Sequence, residues 1–235
     1  MAEESSTPAE SPRNPERAGR RPSGFVARKR RGPGSYDRSQ SPEERKDEQR
    51  RTLVDAAAHV FSRDGFGNAS VASILEVSGL SRGTFYRHFK DLREAFLAVQ
   101  TRAADILLER VQGAFETETE PFEKMRAAVR AYLELVAERG DLSRVFHREA
   151  LVSGKEWALL RKETLGSVQR VFRDGLELAV KKKLLARVPE EVTLYAVISG
   201  IEGVALSYLE DHREDQIQEA LEPLLRFCGR AFASS

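Results

Sequence analysis

Apolar residues return every three or four positions along most of this 235-residue chain, and no other feature constrains its fold as strongly. In the first such segment the repeat places Leu53, Ala56, Ala57, Val60 and Phe61 on one stripe. A spacing of 3.6 residues is that of an amphipathic α-helix, and no segment has the convincing alternation of a strand. The sequence therefore predicts an all-α protein of about nine helices. Their predicted ranges are 42–64, 70–77, 81–89, 91–117, 121–138, 141–150, 155–184, 189–210 and 214–232.

Composition excludes several classes of protein. Hydrophobic residues make up 40% of the chain, which is enough for a core, whereas no uninterrupted apolar run approaches the ~20 residues of a membrane span. The N-terminal region has no apolar run typical of a secretory signal peptide. A single cysteine, Cys228, excludes an internal disulfide and a cysteine-based zinc site. We therefore expect a soluble, cytoplasmic protein with no membrane partner.

Motifs of catalysis are also missing from the sequence. It contains no GxSxG, no P-loop and no HExxH, and none of its four histidines follows a glutamate by three residues. The cysteine has no plausible catalytic base beside it. We therefore expect neither enzymatic activity nor a metal ion or other cofactor.

The first 40 residues differ in composition from the rest of the chain. They hold five Pro, four Gly and six Ser and carry nine cations against five anions, whereas residues 93–235 carry 21 cations against 24 anions. A segment this poor in large apolar residues cannot offset its ordering entropy, so residues 1–40 are predicted to be disordered. Two interpretations remain open: a solvated tail, or a basic arm that follows DNA phosphates or enters a minor groove.

The most informative segment runs from Ser70 to Phe89. Ser70 is placed to cap a short helix, Gly79 to form a sharp turn, and Ser81 to cap a second short helix. In that second helix Phe85 and Phe89, at positions i and i+4, point into the core. The outer face or the N-terminal end then receives Arg82, Gly83, Thr84, Tyr86, Arg87 and His88. This is the plan of a helix-turn-helix, whose second helix lies in the major groove of DNA.

The residue types of that second helix suit DNA recognition. Arg82 and Arg87 can each donate two hydrogen bonds to guanine, and Gly83 has no side chain to hold the backbone away from the DNA. Donors to phosphate, which set the register of binding, are Thr84, Tyr86, His88 and Lys90. The alternative is a solvated helix of a bundle. A bundle, however, has little reason to collect these donors directly after a glycine turn.

Over about 52–96 the sequence resembles the TetR family of bacterial transcriptional regulators. The resemblance rests on the Phe-x-x-x-Gly-Phe run from Phe61 to Phe66, on Ser70-Val71, Ile74 and Gly79-Leu80-Ser81, and on Thr84-Phe85-Tyr86-x-His88-Phe89-Lys90. It implies a three-helix DNA-binding domain over 41–92 and a larger helical domain over 93–235 that senses a small molecule and dimerises. It also implies base-facing positions for Arg82, Gly83, Tyr86 and Arg87, and phosphate-facing positions for Ser70, Ser81, Thr84, His88 and Lys90.

One position departs from the family pattern. Many members have a lysine early in the fourth helix, where this chain has Leu92. Arg93 follows, but neighbouring positions on a helix point about 100° apart. We hypothesise that the basic extension over 1–40 compensates for this phosphate contact.

The domain over 93–235 offers candidates for a ligand site and for a dimer interface. Aromatic residues at helical spacing either pack in the core or line a cavity for a small apolar ligand. The candidates are Phe115, Tyr132, Phe146, His147, Trp157 and Phe172. Small residues in helix 189–210 and an apolar face on helix 214–232 predict a homodimer through both helices, or packing of both on their own domain. Glu202 is exposed, paired across the dimer or directed into a pocket.

Together these features predict a homodimeric repressor that binds a palindromic operator in double-stranded DNA and is released by a small-molecule ligand. Two alternatives remain. One is a regulator that needs no ligand or that activates transcription. The other is a helical protein-interaction module that does not bind DNA.

Overall fold

The structure is a computed structural model that describes residues 41–149 and 155–233. Within these ranges the chain forms nine α-helices, one π-helical turn and one 3-10 turn, with no strand, so the all-α prediction is confirmed. The α-helices are α1 (Pro42–Asp64), α2 (Val71–Ser78), α3 (Arg82–His88), α4 (Leu92–Thr117), α5 (Pro121–Glu138), α6 (Gly140–Arg144), α7 (Lys155–Lys181), α8 (Glu191–Glu210) and α9 (Leu221–Ala233). The π-helical turn covers Val145–Glu149 and the 3-10 turn covers Glu214–Ala220. The predicted disordered segment over 1–40 lies outside the described residues.

α1 begins at a capping box. The Ser41 hydroxyl oxygen accepts from the backbone N–H of Glu44 at 3.1 Å, and the Glu44 carboxylate accepts from the backbone N–H of Ser41 at 2.7 Å. Pro42 occupies the first turn, where its missing N–H leaves no hydrogen bond unmade. The start of α1 is therefore fixed by local side-chain chemistry before any tertiary contact forms.

α1, α2 and α3 pack around a common core. Phe61 of α1 and Phe85 of α3 are fully buried there. α4 extends this core with Phe96, whose ring packs edge-on against Phe61 with 5.0 Å between ring centroids. α4 is a single helix that packs on α1 and then on α5. The expected domain boundary at 92/93 thus falls at the start of a helix that contacts both parts.

The C-terminal helices form a bundle around a second part of the core. α5 packs against α4 and α7, and α8 packs against α7 and α9. Leu133, Leu176 and Leu194 contribute fully buried side chains from α5, α7 and α8. α6 and the π-helical turn contact α1 as well as this bundle, so they join the two parts of the molecule.

Two predicted helices differ from the expectation. The segment 141–150 is α6 followed by the π-helical turn. At the start of this turn the Val145 carbonyl accepts a hydrogen bond of 2.7 Å from the side-chain amide of buried Gln100. The segment 214–232 is divided into the 3-10 turn and α9. Pro223 explains this division, because proline is tolerated in the first turn of an α-helix and α9 begins two residues before it.

α8 buries one face and exposes another. Leu194 and Ile201 are buried, whereas Val192 and Tyr195 remain 68% and 57% exposed. In the described part of the chain α8 is the helix long and apolar enough to cross a membrane, a property it shares with core helices of globular proteins. Its Glu202 accepts a hydrogen bond from Arg161 of α7 at 3.0 Å, so the buried face of α8 packs as part of the bundle.

Candidate DNA-binding surface and ligand cavities

Serine caps and a glycine turn fix the geometry between α2 and α3. The hydroxyl oxygen of Ser70 accepts from the backbone N–H of Ser73 at 3.1 Å, and that of Ser81 accepts from the backbone N–H of Thr84 at 3.1 Å. Between the two helices Gly79 has φ 68° and ψ 13°, a left-handed conformation that a residue with a Cβ adopts at a cost. These local devices present α3 at the surface as a separate short helix.

α3 exposes one face to solvent. Arg82, Gly83, Tyr86 and Arg87 are all exposed, and Tyr86 keeps 47% of its accessible surface. The Arg82 guanidinium lies 5.7 Å from the centre of the Tyr86 ring, close enough for a cation–π contact. A Cβ added to Gly83 would have the Ser81 hydroxyl as its nearest neighbour, at 3.9 Å. The four residues predicted to face bases therefore share one open surface, which we call the recognition face.

The residues predicted to face phosphates are divided between the surface and the interior. Ser70, Ser81 and Lys90 are exposed at the ends of α2 and α3. Thr84, in contrast, is only 8% exposed, and its hydroxyl lies 2.9 Å from the Ser81 hydroxyl. Of the two predicted places, the outer face or the N-terminal end of α3, Thr84 takes the second, because its position in the first turn faces the core beside the helix cap.

His88 is half-buried, and its Nε2 atom has no hydrogen-bond partner in the described structure. Burial lowers the pKa of His88, and the positive charges of Lys46, Arg87 and Arg50 lower it further. The imidazole is therefore neutral at pH 7.

The cationic surface extends beyond the residues found by sequence. Lys46 and Arg50 of α1 are exposed, and the positive charge of each lowers the pKa of His88 at the end of α3. The Arg50 guanidinium also lies 5.5 Å from the centre of the Phe89 ring. Their approach to α3 is a tertiary contact between segments far apart in the chain, so no local motif indicates it.

Trp157, a predicted ligand contact, packs instead against α4 and the loop after α1. It is 3% exposed, and its ring centroid lies 4.5 Å from that of Phe96 and 5.1 Å from that of Phe66. Arg93 completes this contact with its guanidinium 5.4 Å from the centre of the Trp157 ring. The first turn of α7 is thereby anchored to α4 and to the loop after α1.

Two narrow cavities lie among the C-terminal helices. The first, which we call the middle cavity, has about 30 Å³ and is bounded by α4, α5, α7 and α8, and Tyr132 and Phe172 form part of its wall. The second, which we call the inner cavity, has about 10 Å³ and is bounded by α4, α5, α6 and the π-helical turn. Tyr132, Phe146 and His147 form part of its wall. Four of the six predicted ligand contacts thus line cavities. Phe115 packs against α7 at Gly175 instead.

A polar cluster borders both cavities. The Tyr132 hydroxyl lies 3.1 Å from His147 Nε2, and the Glu202 carboxylate lies 3.3 Å from His147 Nδ1 while it accepts from Arg161 at 3.0 Å. Tyr132, His147 and Glu202 are all more than nine-tenths buried. Burial raises the pKa of Tyr132 well above its usual value, and the charge of Glu202 raises it further. Tyr132 therefore stays protonated, and its O–H can donate a hydrogen bond to His147 Nε2.

Arg161 is the functional candidate that sequence reasoning missed here. It lies four residues before Leu165 and seven before Val168, both of which line the middle cavity. A charged residue on the apolar stripe of a helix is the signal that could have identified it. In the described part of the chain, no group of three histidine, cysteine or acidic side chains is arranged to hold a metal ion.

The sequence profile described as "Bacterial regulatory proteins, tetR family" matches residues 53–99, which cover the second half of α1, all of α2 and α3 and the start of α4. Over these residues the chain is similar to the TetR family of bacterial regulatory proteins. Its match to the HTH-type transcriptional activator FasR of Mycolicibacterium smegmatis is 35% identical over 91 residues, which span 39% of this chain and 42% of FasR.

Two further similarities extend beyond residues 53–99. The chain is 28% identical over 172 residues to the HTH-type transcriptional regulator YdgC of Bacillus subtilis, covering 67% of this chain and 86% of YdgC. The crystal structure of FadR from Bacillus subtilis in complex with stearoyl-CoA superimposes with a TM-score of 0.66 at 16% identity, covering 76% of this chain and 96% of FadR. The helical C-terminal part therefore also has the fold of this solved structure.

Proposed function

We propose that this chain is a homodimeric, sequence-specific transcriptional regulator that binds a palindromic operator and changes its affinity when a small apolar molecule enters the C-terminal helices. The observation that carries the proposal is the recognition face, where arginine, tyrosine and an unhindered glycine share one exposed surface of a capped short helix. A surface suited to reading DNA supports a regulatory rather than a catalytic role. Binding to an operator also implies a cytoplasmic location.

The recognition face suits the major groove in chemistry and in shape. Arg82 and Arg87 are exposed and can each form two hydrogen bonds with the O6 and N7 atoms of guanine. Gly83 lets the helix backbone approach a base edge, and Tyr86 offers a hydroxyl to phosphate or base. Lys46, Arg50 and Lys90 add exposed positive charge around this face, which attracts the DNA backbone.

The exposed apolar surface of α8 and α9 supports the homodimer. Val192 and Tyr195 of α8 and Phe227 of α9 are 68%, 57% and 47% exposed. A Cβ added to Gly203 would meet no neighbour within 4 Å, which leaves room for a second helix to approach closely. Two copies joined there about a two-fold axis would place their α3 helices about one DNA turn apart, so the operator should be palindromic.

The contacts between the two parts of the molecule provide a route for ligand control. α4 runs from the DNA-binding helices to the cavities, and Trp157 anchors α7 to Phe96. α6 is tied to α1 by a contact of 2.9 Å between His59 and Asp141 and by another of 2.9 Å between Arg139 and Asp55. A ligand that separates the cavity walls would move these attachments and shift the population of DNA-binding conformations.

Selection of binding sites from a random-sequence duplex pool, followed by a salt titration on the selected duplex, tests this proposal. We expect a palindromic site whose affinity falls steeply with salt. Weak binding without sequence preference would contradict it, because the basic residues would then act without the recognition face. The bound complex should contain an even number of protomers by analytical ultracentrifugation.

Activation of transcription is a second candidate, since FasR, the relative with 35% identity, is named an activator. Repression and activation differ in where the operator lies relative to the promoter, and the recognition face serves both. Transcription in vitro from a promoter that carries the selected site, with and without the protein, distinguishes them. A fall in transcript indicates a repressor, and a rise indicates an activator.

A further inference from the structure

A third cavity adjoins the middle cavity described above. This outer groove, of about 240 Å³, runs between α5, α7 and α9, and Arg126, Phe172 and Cys228 form part of its wall. It shares Val129 and Phe172 with the middle cavity. The middle cavity in turn shares Leu107 and Tyr132 with the inner cavity. The three spaces therefore form a series in which each neighbouring pair is separated by a few shared side chains.

The chemistry of the walls changes along this series. The outer groove has Glu123 and Arg126 at its wall, and Arg126 is paired with Glu222 at the surface. The middle cavity is apolar apart from Tyr132 and Glu202. The charge of Glu202 is balanced by Arg161 and its second oxygen faces His147, so the interior offers no unbalanced charge to a ligand. A ligand that fills the series therefore needs a long apolar part inside and has its polar end at the groove.

The dimensions favour a chain over a ring system. The middle and inner cavities now hold about 30 Å³ and 10 Å³, far below the ~300–1,000 Å³ of an open ligand pocket. Because Phe172 and Tyr132 are shared walls, their displacement would join neighbouring cavities, whereas a broad, rigid ligand would also have to displace residues of the four helices around the middle cavity. A flexible methylene chain can use such a path, because it needs length and little width.

We propose that the series is a binding site for one extended aliphatic chain, which enters from the outer groove, passes Phe172 and ends near Tyr132. This inference rests on the proposed ligand control and assigns its ligand class. Phe172 acts as the outer partition and Tyr132 as the inner one. The polar end of the ligand remains beside Arg126, where water can reach it.

Calorimetric titration of the full chain without DNA tests the ligand class, with octanoate, dodecanoate and hexadecanoate below their micelle concentrations. Burial of methylene groups predicts that affinity rises by about two- to fourfold for each added methylene until the inner cavity is filled. Progesterone, a rigid ring system, serves as the comparison ligand. Affinity that does not depend on chain length, or tighter binding of progesterone than of hexadecanoate, would overturn the proposal.

Two substitutions on α7 locate the chain. Val168→Phe narrows the middle cavity, so hexadecanoate should bind no better than octanoate. Leu159→Phe is the matched control, because Leu159 is 55% exposed on the same helix and should leave the length dependence unchanged. Phe172→Ala removes the outer partition and should tighten binding of the long chains most. Thermal unfolding of each variant confirms that it is folded, and unchanged length dependence in Val168→Phe would contradict the proposed path.

The single cysteine provides an independent readout. Cys228 lines the outer groove, so a bound chain should slow its alkylation by N-ethylmaleimide several-fold. Equal alkylation rates with and without saturating hexadecanoate would place the chain elsewhere. Operator affinity is measured separately: chain binding without operator binding would refute the proposed regulator and leave this inference standing, whereas operator binding without chain binding would do the reverse.

Discussion

Replacing Gly83 with alanine should weaken DNA binding without harming the fold. Gly83 lies within α3, and its added methyl group would have the Ser81 hydroxyl as nearest neighbour at 3.9 Å, so the free protein has room for it. Alanine at a compatible helical position stabilises a protein by about 0.4–1 kcal/mol. In the complex the same methyl group would stand between the α3 backbone and a base edge. We expect a loss comparable to a mismatched base pair, about 1–3 kcal/mol, or roughly five- to 150-fold in operator affinity.

Gly113→Ala is the matched control for this prediction. Gly113 lies in the exposed part of α4, and a Cβ there also meets nothing within 4 Å. Urea unfolding followed by circular dichroism should show both variants at least as stable as the parent. Fluorescence anisotropy with the selected operator should show a loss of affinity for Gly83→Ala alone. A Gly83→Ala variant that is stable and binds the operator with parental affinity would refute the close approach of α3 to DNA.

Three further predictions test the energetics of the structure. Glu202→Leu should destabilise the protein by about 3 kcal/mol in urea unfolding, because it leaves Arg161 and His147 without their buried carboxylate. Adding Arg161→Met should recover part of that loss, and a purely additive double variant would contradict the pairing. Gly79→Ala should cost about 1–2 kcal/mol in the same assay, since φ is 68° there, and no loss would contradict the left-handed turn. Burial lowers the pKa of His88 in the folded protein, so the free energy of unfolding should fall as the pH drops below the histidine pKa of the unfolded chain, about 6.5. His88→Gln should lessen that fall, and an identical pH profile would place His88 in solvent.

Local signals made the helix-turn-helix predictable from sequence. The Ser70 and Ser81 hydroxyls cap the two short helices by accepting hydrogen bonds from the backbone N–H three positions later, and Gly79 forms the turn between the helices. Each of these devices acts over a few residues, so the sequence contains all of the necessary information. The recognition face follows from the same local geometry.

The positions of several side chains depend on tertiary packing, which local sequence signals do not indicate. Thr84 is predicted on the outer face or at the N-terminal end of α3, and packing decides for the N-terminal end, where its hydroxyl lies 2.9 Å from that of Ser81. Trp157 has the spacing of a cavity residue, but helical spacing does not say which of two neighbouring helices the ring will meet. It packs on Phe96 of α4, across the junction with the DNA-binding helices. The polar cluster likewise joins α5, α7, α8 and the π-helical turn, so no single segment indicates it.

The most direct test of the central claim compares operator affinity with affinity for a random duplex of equal length and salt concentration. We predict that Arg82→Ala combined with Arg87→Ala will lower the ratio of the two affinities by at least tenfold, because these side chains read bases. Lys90→Ala should weaken both affinities alike and leave the ratio unchanged, because a phosphate contact carries no sequence information. An unchanged ratio in the arginine double variant would contradict the account, since specificity would then come from outside α3.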